Sequence, residues 1–308
     1  LRLWAATVDS RTDVSIGPQS LVAVSASMRR LRNTLRFLLA AVNGVEQSDH
    51  VPTEQLSSPL DRYALHRVAV TLRDARAAFD RFDFAHVPRT AHHLAAIDLS
   101  ACYLDIIKDR LYADSPQSLS RRSAQTVCHH ALQALLSMLA PILPHTSEEV
   151  WQFLHGRHDA PVHDDALQAA AESFLASSGG WPHHIETYQL SERDVARWEL
   201  LMSFRDAVNG ALEEQRAQKT IGKSVEADVV VSGASEALID ALQWLGTEES
   251  AALCIVSNVT LDTSSNSANN SSSSLAVTVT PAKHKRCVRC WRFVVHQQHA
   301  IALCHRCQ

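Results

Sequence analysis

The sequence predicts a mainly α-helical protein, in which a helical bundle is followed by a small α+β region and a C-terminal four-cysteine zinc knuckle. Three observations support this fold class. Apolar residues recur at helical spacing through most of the first half of the chain, and β-branched residues alternate after Ser224. The third observation is a cluster of cysteines near the end of the chain: Cys287, Cys290, Cys304 and Cys307.

The composition is that of a globular chain. Of its 308 residues 46% are hydrophobic, and only 9 are glycine and 10 proline, which excludes a fibrous or wholly disordered protein. No apolar run reaches the roughly 20 residues of a membrane-spanning helix, so we expect no membrane partner. The formal net charge is −4, so any nucleic acid must be bound by local basic patches.

The bundle is predicted from stripes of apolar residues at spacings of three and four. They define helices at about 18–42, 65–79, 86–110 and 120–139, the last apolar nearly all round and therefore central. Pro141 and Pro144 should end the central helix, and Thr146 or Ser147 should cap a short helix after it. In the third helix the residues expected to face inward are Leu94, Ile97, Ala101, Leu104 and Ile107.

The second half of the chain alternates between helix and strand. Residues 156–190 are rich in His, Ser, Gly and Pro and are expected to be a connector. A long helix from Ser191 to about Lys219 should follow, then strands at 225–231, 251–256 and 275–280. The Ser/Asn-rich tract at 262–274 is predicted to be a disordered loop.

The cysteines form two C-x2-C pairs, and this spacing predicts one structural Zn²⁺ per chain. Two residues between thiolates let a tight turn supply two sulfurs, and two such turns close a tetrahedral site with no position left for water. Disulfides or free thiols are the alternative, which the absence of a secretory leader at the start of the sequence disfavours. We expect the knuckle to fold as its own small unit.

Basic residues cluster in three places and are candidates for RNA contact. Residues 283–308 hold six Lys/Arg and no acid, interleaved with Trp291 and Phe293, which suits phosphate contact and base stacking. Offsetting the charge of the zinc–thiolate centre is the alternative for these cations, and a solvated helix face is the alternative for the other two clusters. The candidate RNA-binding residues are Arg29, Arg30, Arg36, Lys108, Arg110, Arg289, Trp291 and Arg292.

Two other patterns carry no function by our reasoning. Gly222-Lys223-Ser224 lacks the first glycine of a P-loop, because Ala217 occupies that position. Adjacent histidines at 92–93, 129–130 and 183–184 point about 100° apart on a helix and chelate poorly, so they are expected at the surface or between helices. No catalytic constellation is found, and no catalytic residue is predicted.

Strings along most of the chain resemble the bacterial-type isoleucyl-tRNA synthetases, a family of class I aminoacyl-tRNA synthetases. Their order and spacing are more specific than any one of them. Ser10 and Cys102 depart from the pattern, since the family usually has aromatic residues there. The strings are LRLW (1–4), DSRTDV (9–14), RNTLRFLL (32–39), DRY (61–63), DLSACYLDIIKDRLY (98–112), LAPILPHTSEEVW (139–151), EEQRAQKTIGKSVEA (213–227) and the four cysteines.

The resemblance implies a C-terminal fragment of a ligase that attaches isoleucine to tRNA(Ile) using ATP. The family's H-I-G-H and K-M-S-K-S motifs are absent, so the catalytic and editing domains would lie outside this chain. The chain would then bind no ATP and be inactive alone. The implied order is a stem-contact junction remnant (1–18), an anticodon-binding helical bundle (19–155), the connector (156–190), an α+β region (191–281) and the zinc knuckle (282–308).

The implied partners are tRNA(Ile) and the missing N-terminal catalytic domain. We expect a monomer in the cytoplasm, with the mitochondrial matrix or plastid stroma as the alternative. A stand-alone RNA-binding zinc module without catalysis is the alternative function, and the upstream reading frame distinguishes the two.

Overall fold

The computed structural model describes residues 1–9, 13–14, 16–154, 182–262, 275–294, 303–304 and 307. They form two compact units. Unit 1 comprises Leu1–Ser57, Asp61–Ile107 and Pro116–Gln189, and unit 2 comprises Ser58–Leu60, Lys108–Ser115 and Leu190–Gln308. The predicted loop at 262–274, beyond its first residue, and most of the predicted connector lie outside the described residues. The fold class is confirmed: the chain is mainly helical, with a small sheet and a cluster of four cysteines.

Unit 1 is a bundle built around one buried helix. Its central helix has buried residues on every side, and it packs against the first long helix and two shorter ones, as its apolar composition predicted. Ser118 caps its start by accepting a hydrogen bond from the Arg121 N–H (3.2 Å). The helices are α1 Arg2–Thr7, α2 Pro18–Val42, α3 Pro59–Asp80, α4 His86–His93, α5 Leu104–Ile106, α6 Lys108–Ala113 (in unit 2), α7 Leu119–Leu139, α8 Pro144–Leu154 and α9 His183–Glu186.

The predicted helix at 86–110 is not continuous. A π-helix at Leu94–Tyr103 interrupts it, and a break at Ile107 separates α5 from α6. The wider π turn displaces the inward face from a 3.6-residue period, so Ile97 and Ala101, expected to face inward, are exposed. The Thr34 hydroxyl donates to the Ala95 carbonyl oxygen (3.2 Å) within this π-helix.

The predicted cap of α8 is also wrong. The helix begins at Pro144, and the Ser147 N–H already donates to the Leu143 carbonyl oxygen (3.0 Å). Proline suits the first turn because its fixed φ is helical and its missing N–H leaves no orphan donor. Thr146 and Ser147 therefore lie inside the helix that they were expected to cap.

Unit 2 packs a long helix against a three-stranded sheet. The sheet has the order β2-β1-β3, with β1 parallel to β2 and antiparallel to β3. Alternate residues of β1 are buried, namely Ala227, Val229 and Val231, as the predicted alternation requires. The elements are α10 Glu192–Ala217, β1 Ala227–Ser232, α11 Glu236–Leu245, α12 Thr247–Leu253, β2 Asn258–Leu261, β3 Ala276–Pro281, β4 Lys285–Arg286 and β5 Phe293–Val294.

The strand predicted at 251–256 is wrong, because those residues end a helix. Gly246, with φ +87°, ends α11, and α12 starts at once with Glu248 and Glu249 in its first turn, where acidic residues favour a helix N-terminus. Ala251 and Leu253 are buried on this helix, and the strand β2 begins only at Asn258. A short apolar run does not by itself distinguish strand from helix.

Three helices end in a left-handed residue that is not glycine. Phe82, Lys219 and Ile255 have φ values of 58°, 59° and 56° and follow α3, α10 and α12. Each end carries the paired hydrogen bonds of a Schellman motif; Thr220 N–H, for example, donates to the Gln215 carbonyl oxygen (3.0 Å). The hydrogen bonds therefore hold a backbone conformation that usually takes glycine.

No helix in the described parts of the chain is long and apolar enough to cross a bilayer.

Candidate functional site

The four cysteine thiols converge at one point of unit 2. Cys287 and Cys290 lie in the turn between β4 and β5, and Cys304 and Cys307 approach from the end of the chain. All four sulfur atoms lie within 4.8 Å of one another, and the Sγ atoms of Cys290 and Cys304 are 3.6 Å apart. Tetrahedral Zn–S bonds of about 2.3 Å place sulfurs about 3.8 Å apart, so the thiol geometry fits a tetrahedral metal.

The electrostatics of the cluster also favour a cation. Burial raises the pKa of the Cys287 thiol, but backbone N–H groups of Cys290, Cys304 and Arg289 donate to its sulfur and lower the pKa to about 6. Burial raises the pKa of Cys290 to about 11, and it raises that of Cys307 as well. Four thiolates this close repel one another, so all four can ionise together only around a positive ion.

The other cysteines do not share this arrangement. Cys102, Cys128 and Cys254 lie apart from the cluster and are not joined in disulfides. Burial raises the pKa of Cys254 to about 12, which keeps it a neutral core residue.

Backbone contacts attach the knuckle to the sheet of unit 2. The Phe293 N–H donates to the Ser257 hydroxyl (2.9 Å), and the Ala282 N–H donates to the Glu226 carbonyl oxygen (2.7 Å). These contacts connect the knuckle to the sheet within unit 2. That the knuckle folds as its own small unit stays a prediction.

Trp291 is the exposed aromatic residue of the knuckle. Its side chain is 51% exposed, and its φ of 66° is unusual for a bulky residue. The backbone N–H of Trp291 donates to the Cys287 carbonyl oxygen (3.0 Å), and the Lys223 ammonium lies 4.6 Å from the ring centroid in a cation–π contact. The sequence indicated Trp291 but not Lys223, because 68 positions separate them.

The other basic residues of the knuckle differ in exposure. Arg289 is exposed and Arg292 is partly buried. Lys283, Lys285 and Arg286 are exposed, whereas Arg306 lies outside the described residues.

The arginines predicted on α2 lie at its surface. Arg29, Arg30 and Arg36 are exposed. Their neighbour Arg32 is bound by the Glu149 carboxylate of α8, at 2.9 and 3.0 Å. Within the described ranges no carboxylate pairs with Arg29 or Arg36, which leaves these two cations available to a partner.

The third predicted pair belongs to α6 in unit 2. Lys108 is exposed and Arg110 is partly buried, and each has an interaction partner.

The Gly222-Lys223-Ser224 loop does not form a phosphate cradle. The N–H groups of Gly222 and Lys223 donate to the Glu226 carboxylate at 2.9 and 3.1 Å. These two donors, helped by the nearby cations Lys223 and Arg286, lower the Glu226 pKa below its usual value against a small opposing effect of burial. The amides that a phosphate would need are therefore already paired.

Sequence reasoning missed a group of histidines in unit 1. It placed the 129–130 and 183–184 pairs at the surface or between helices. In the structure His50, His129, His130 and His184 line one pocket. No local pattern could have shown this, because the rings come from three segments far apart in sequence, at His50, His129–His130 and His184.

A helical bundle linked to a small sheet with a four-cysteine cluster is thus the architecture of the chain, and comparison with known proteins gives its class. The family model for the anticodon-binding domain of tRNA ligases matches residues 61–231, more than half of the chain. The chain belongs to this family of anticodon-binding domains.

The relatives that match along the whole chain are isoleucine–tRNA ligases, which confirms the resemblance found in the sequence. The identity is 37% over 314 residues with that of Gloeobacter violaceus and 36% over 317 residues with that of Moorella thermoacetica. It is 39% over 312 residues with isoleucine–tRNA ligase 2 of Burkholderia mallei. Each match includes 100% of this chain, and the chain spans only 30–32% of the length of these relatives.

Proposed function

We propose that this chain is the C-terminal, tRNA-binding portion of an isoleucine–tRNA ligase. The observation that carries the proposal is the match to isoleucine–tRNA ligases along its whole length. The complete enzyme attaches isoleucine to tRNA(Ile) with ATP on a catalytic domain outside this sequence. The present chain binds the anticodon arm and so positions the distant acceptor end for that domain, a contribution of orientation rather than of bond chemistry.

In this proposal the chain acts as a monomer in the cytoplasm, or alternatively in the mitochondrial matrix or plastid stroma. It binds no ATP itself. The boundaries inferred from the sequence give its organisation: junction 1–18, bundle 19–155, connector 156–190, α+β region 191–281 and knuckle 282–308.

The metal of the knuckle is Zn²⁺ in this proposal. Four thiolates at tetrahedral spacing are the donor set that structural zinc prefers, and the closed shell leaves no site for water or substrate. When bound, zinc supplies folding free energy to the knuckle rather than chemistry. Its role is to fix the turn that carries Arg289, Trp291 and Arg292.

These three residues form the RNA-contacting face of the knuckle. Lys223 lies over the Trp291 ring, and the ring is still 51% exposed, so a splayed base can stack against it. Arg289 and Arg292 contact the phosphates next to that base. Trp291 occupies a position where glycine would be less strained, which fits selection for its side chain rather than for the turn.

Besides the knuckle, two groups of basic residues contact the RNA electrostatically in this proposal. Arg29, Arg30 and Arg36 lie exposed along α2, and Lys108 and Arg110 lie on α6. Cations of this kind bind phosphates without reading sequence, and each phosphate contact releases counterions.

The proposal is tested by measuring tRNA binding to the full chain. A tRNA(Ile) transcript should bind about tenfold more tightly than the same transcript with its anticodon changed. Raising salt from about 50 to 200 mM should weaken binding at least tenfold. Equal binding of both transcripts would contradict anticodon recognition.

Variants separate the two kinds of contact. Replacing Arg29 and Arg36 with glutamine should make the slope of log affinity against log salt shallower, by the amount that about two phosphate contacts contribute. The matched control is Arg193→Gln, an exposed arginine on α10 that should leave the salt dependence unchanged. Trp291→Gly keeps the left-handed turn and should keep the metal while it weakens RNA binding. Unchanged binding by that variant would remove Trp291 from the interface.

A further inference from the structure

The histidine pocket of unit 1 is a cavity of about 400 Å³. It opens between the turn after α2, the second half of α7, the end of α8 and the short helix α9. Half of the residues that line it are polar, namely the four histidines, Asn43 and Gln133, and the others are aliphatic, aromatic or glycine. A concave site that combines apolar and polar groups can bind a small organic ligand. The ligand-facing groups are His50, His129, His130, Gln133, Phe153 and His184.

The four imidazole rings surround the pocket without stacking face to face. The centroids of His50 and His129 are 4.4 Å apart with planes tilted by 51°. Those of His130 and His184 are 5.3 Å apart with planes at 65°. Because each of these rings meets its neighbour at an angle, the two rings of a pair do not cover each other's faces.

Two polar atoms in the pocket wall lack partners. The Nδ1 atom of His130 and the Oε1 atom of Gln133 are both buried, and neither makes a hydrogen bond of good geometry within the part of the chain that the structure describes. The Gln133 side chain lies close enough to the imidazole to act on its pKa, in the direction that raises it. Buried polar atoms are usually paired, and leaving one unpaired costs free energy. Gln133 lies one helical turn after His130, so both atoms can meet one hydrogen-bonding edge.

The charge of the pocket excludes ionic ligands. Its lining holds no Lys, Arg, Asp or Glu. Burial lowers the pKa of His50 and His184, and burial together with the neighbouring histidines lowers that of His130, so these rings are neutral near pH 7. A phosphate would find no cation here, and 400 Å³ is far more than one metal ion fills.

We propose that this pocket binds a single unpaired nucleobase, held between imidazole faces with its polar edge on Gln133 Oε1 and His130 Nδ1. The base presents an N–H donor to Oε1, and neutral Nδ1 either donates or accepts. Splayed bases are commonly stacked on aromatic side chains, histidine included. If the base belongs to tRNA, this inference rests on the proposed RNA-binding function. The other possible source of a base is a free nucleoside, which offers the pocket the same chemistry.

The test uses an RNA hairpin with the anticodon arm of tRNA(Ile), together with the four ribonucleosides at millimolar concentration. Gln133→Met keeps the length of the side chain and removes the acceptor, and Gln152→Met on α8 is the matched control outside the pocket. Gln133→Met should weaken hairpin binding about tenfold, the effect of one lost hydrogen bond to a base. Because no phosphate contact is removed, its salt dependence should equal that of the unmodified chain. When a 2-aminopurine replaces one loop base of the hairpin, the fluorescence change that accompanies binding should be lost with Gln133→Met.

The nucleoside arm needs no variant and separates the two sources. If the hairpin binds and only Gln133→Met weakens it, the base comes from tRNA. If no RNA binds but a nucleoside shifts the imidazole NMR signals of His130 and His184, the pocket binds a free nucleoside. The proposed RNA-binding function then fails, while the proposed nucleobase pocket stands. Equal hairpin affinities for the two variants would overturn the proposal, as would histidine signals that respond to added Zn²⁺ and not to nucleosides.

Discussion

His130→Phe should remove a large part of the acid sensitivity of unit 1. Phenylalanine keeps a ring of similar width beside His184 but cannot be protonated. The pKa of His130 falls to about 3 in the folded protein, from an ordinary value of 6.5, because of burial and the neighbouring histidines. Below pH 6.5 the unfolded chain therefore binds a proton that the folded chain refuses, and folding stability falls as the pH falls.

The magnitude follows from the width of the pH window. Each pH unit between the two pKa values changes the free energy of unfolding by about 1.4 kcal/mol. Between pH 6.5 and 5 the loss is about 2 kcal/mol, and it is the same for any folded-state pKa well below 5. At pH 8 His130 is neutral in both the folded and the unfolded state. The difference in the free energy of unfolding between the variant and the unmodified chain at that pH is therefore the baseline.

The assay is urea unfolding at pH 8, 6.5 and 5, followed by circular dichroism at 222 nm, with hydrogen exchange of α7 peptides to assign the transition to unit 1. At pH 5 His130→Phe should gain about 2 kcal/mol over the unmodified chain, relative to pH 8. Gln133→Met, in the same pocket but without a titrating group, should follow the unmodified profile. Parallel profiles for His130→Phe and the unmodified chain would refute the reasoning.

The remaining predictions concern the metal, a helix end and the chemistry of the chain. Elemental analysis should find one Zn²⁺ per chain, absent after Cys287→Ser or Cys304→Ser and retained in Cys102→Ser, with the helical dichroism preserved; loss of the helices on chelation would contradict a knuckle that folds as its own small unit. Lys219→Gly should stabilise unit 2 by about 0.5–1 kcal/mol in urea unfolding, because glycine adopts the left-handed conformation without strain; a destabilised variant would show that Lys219 has a further role. The isolated chain should show no isoleucine-dependent pyrophosphate exchange, and measurable exchange would place the adenylate chemistry inside it.

The local part of the candidate site could be predicted from sequence. Two residues lie between Cys287 and Cys290, and two lie between Cys304 and Cys307. Such spacing restricts where the two sulfurs of a pair can lie. The support of the site could not be predicted. Ser257 holds Phe293, and Lys223 lies over Trp291, because the sheet brings distant segments together.

The sequence by itself determined the long helices and the central position of α7, since an apolar stripe with a 3.6-residue period has one way to be buried. Only the tertiary structure decided where that period fails. Residues 94–103 form a wider helix against α2, and Ala251 and Leu253 complete a helix rather than a strand. It also brought four histidines to one pocket, because side chains from separate elements meet only when the whole bundle packs.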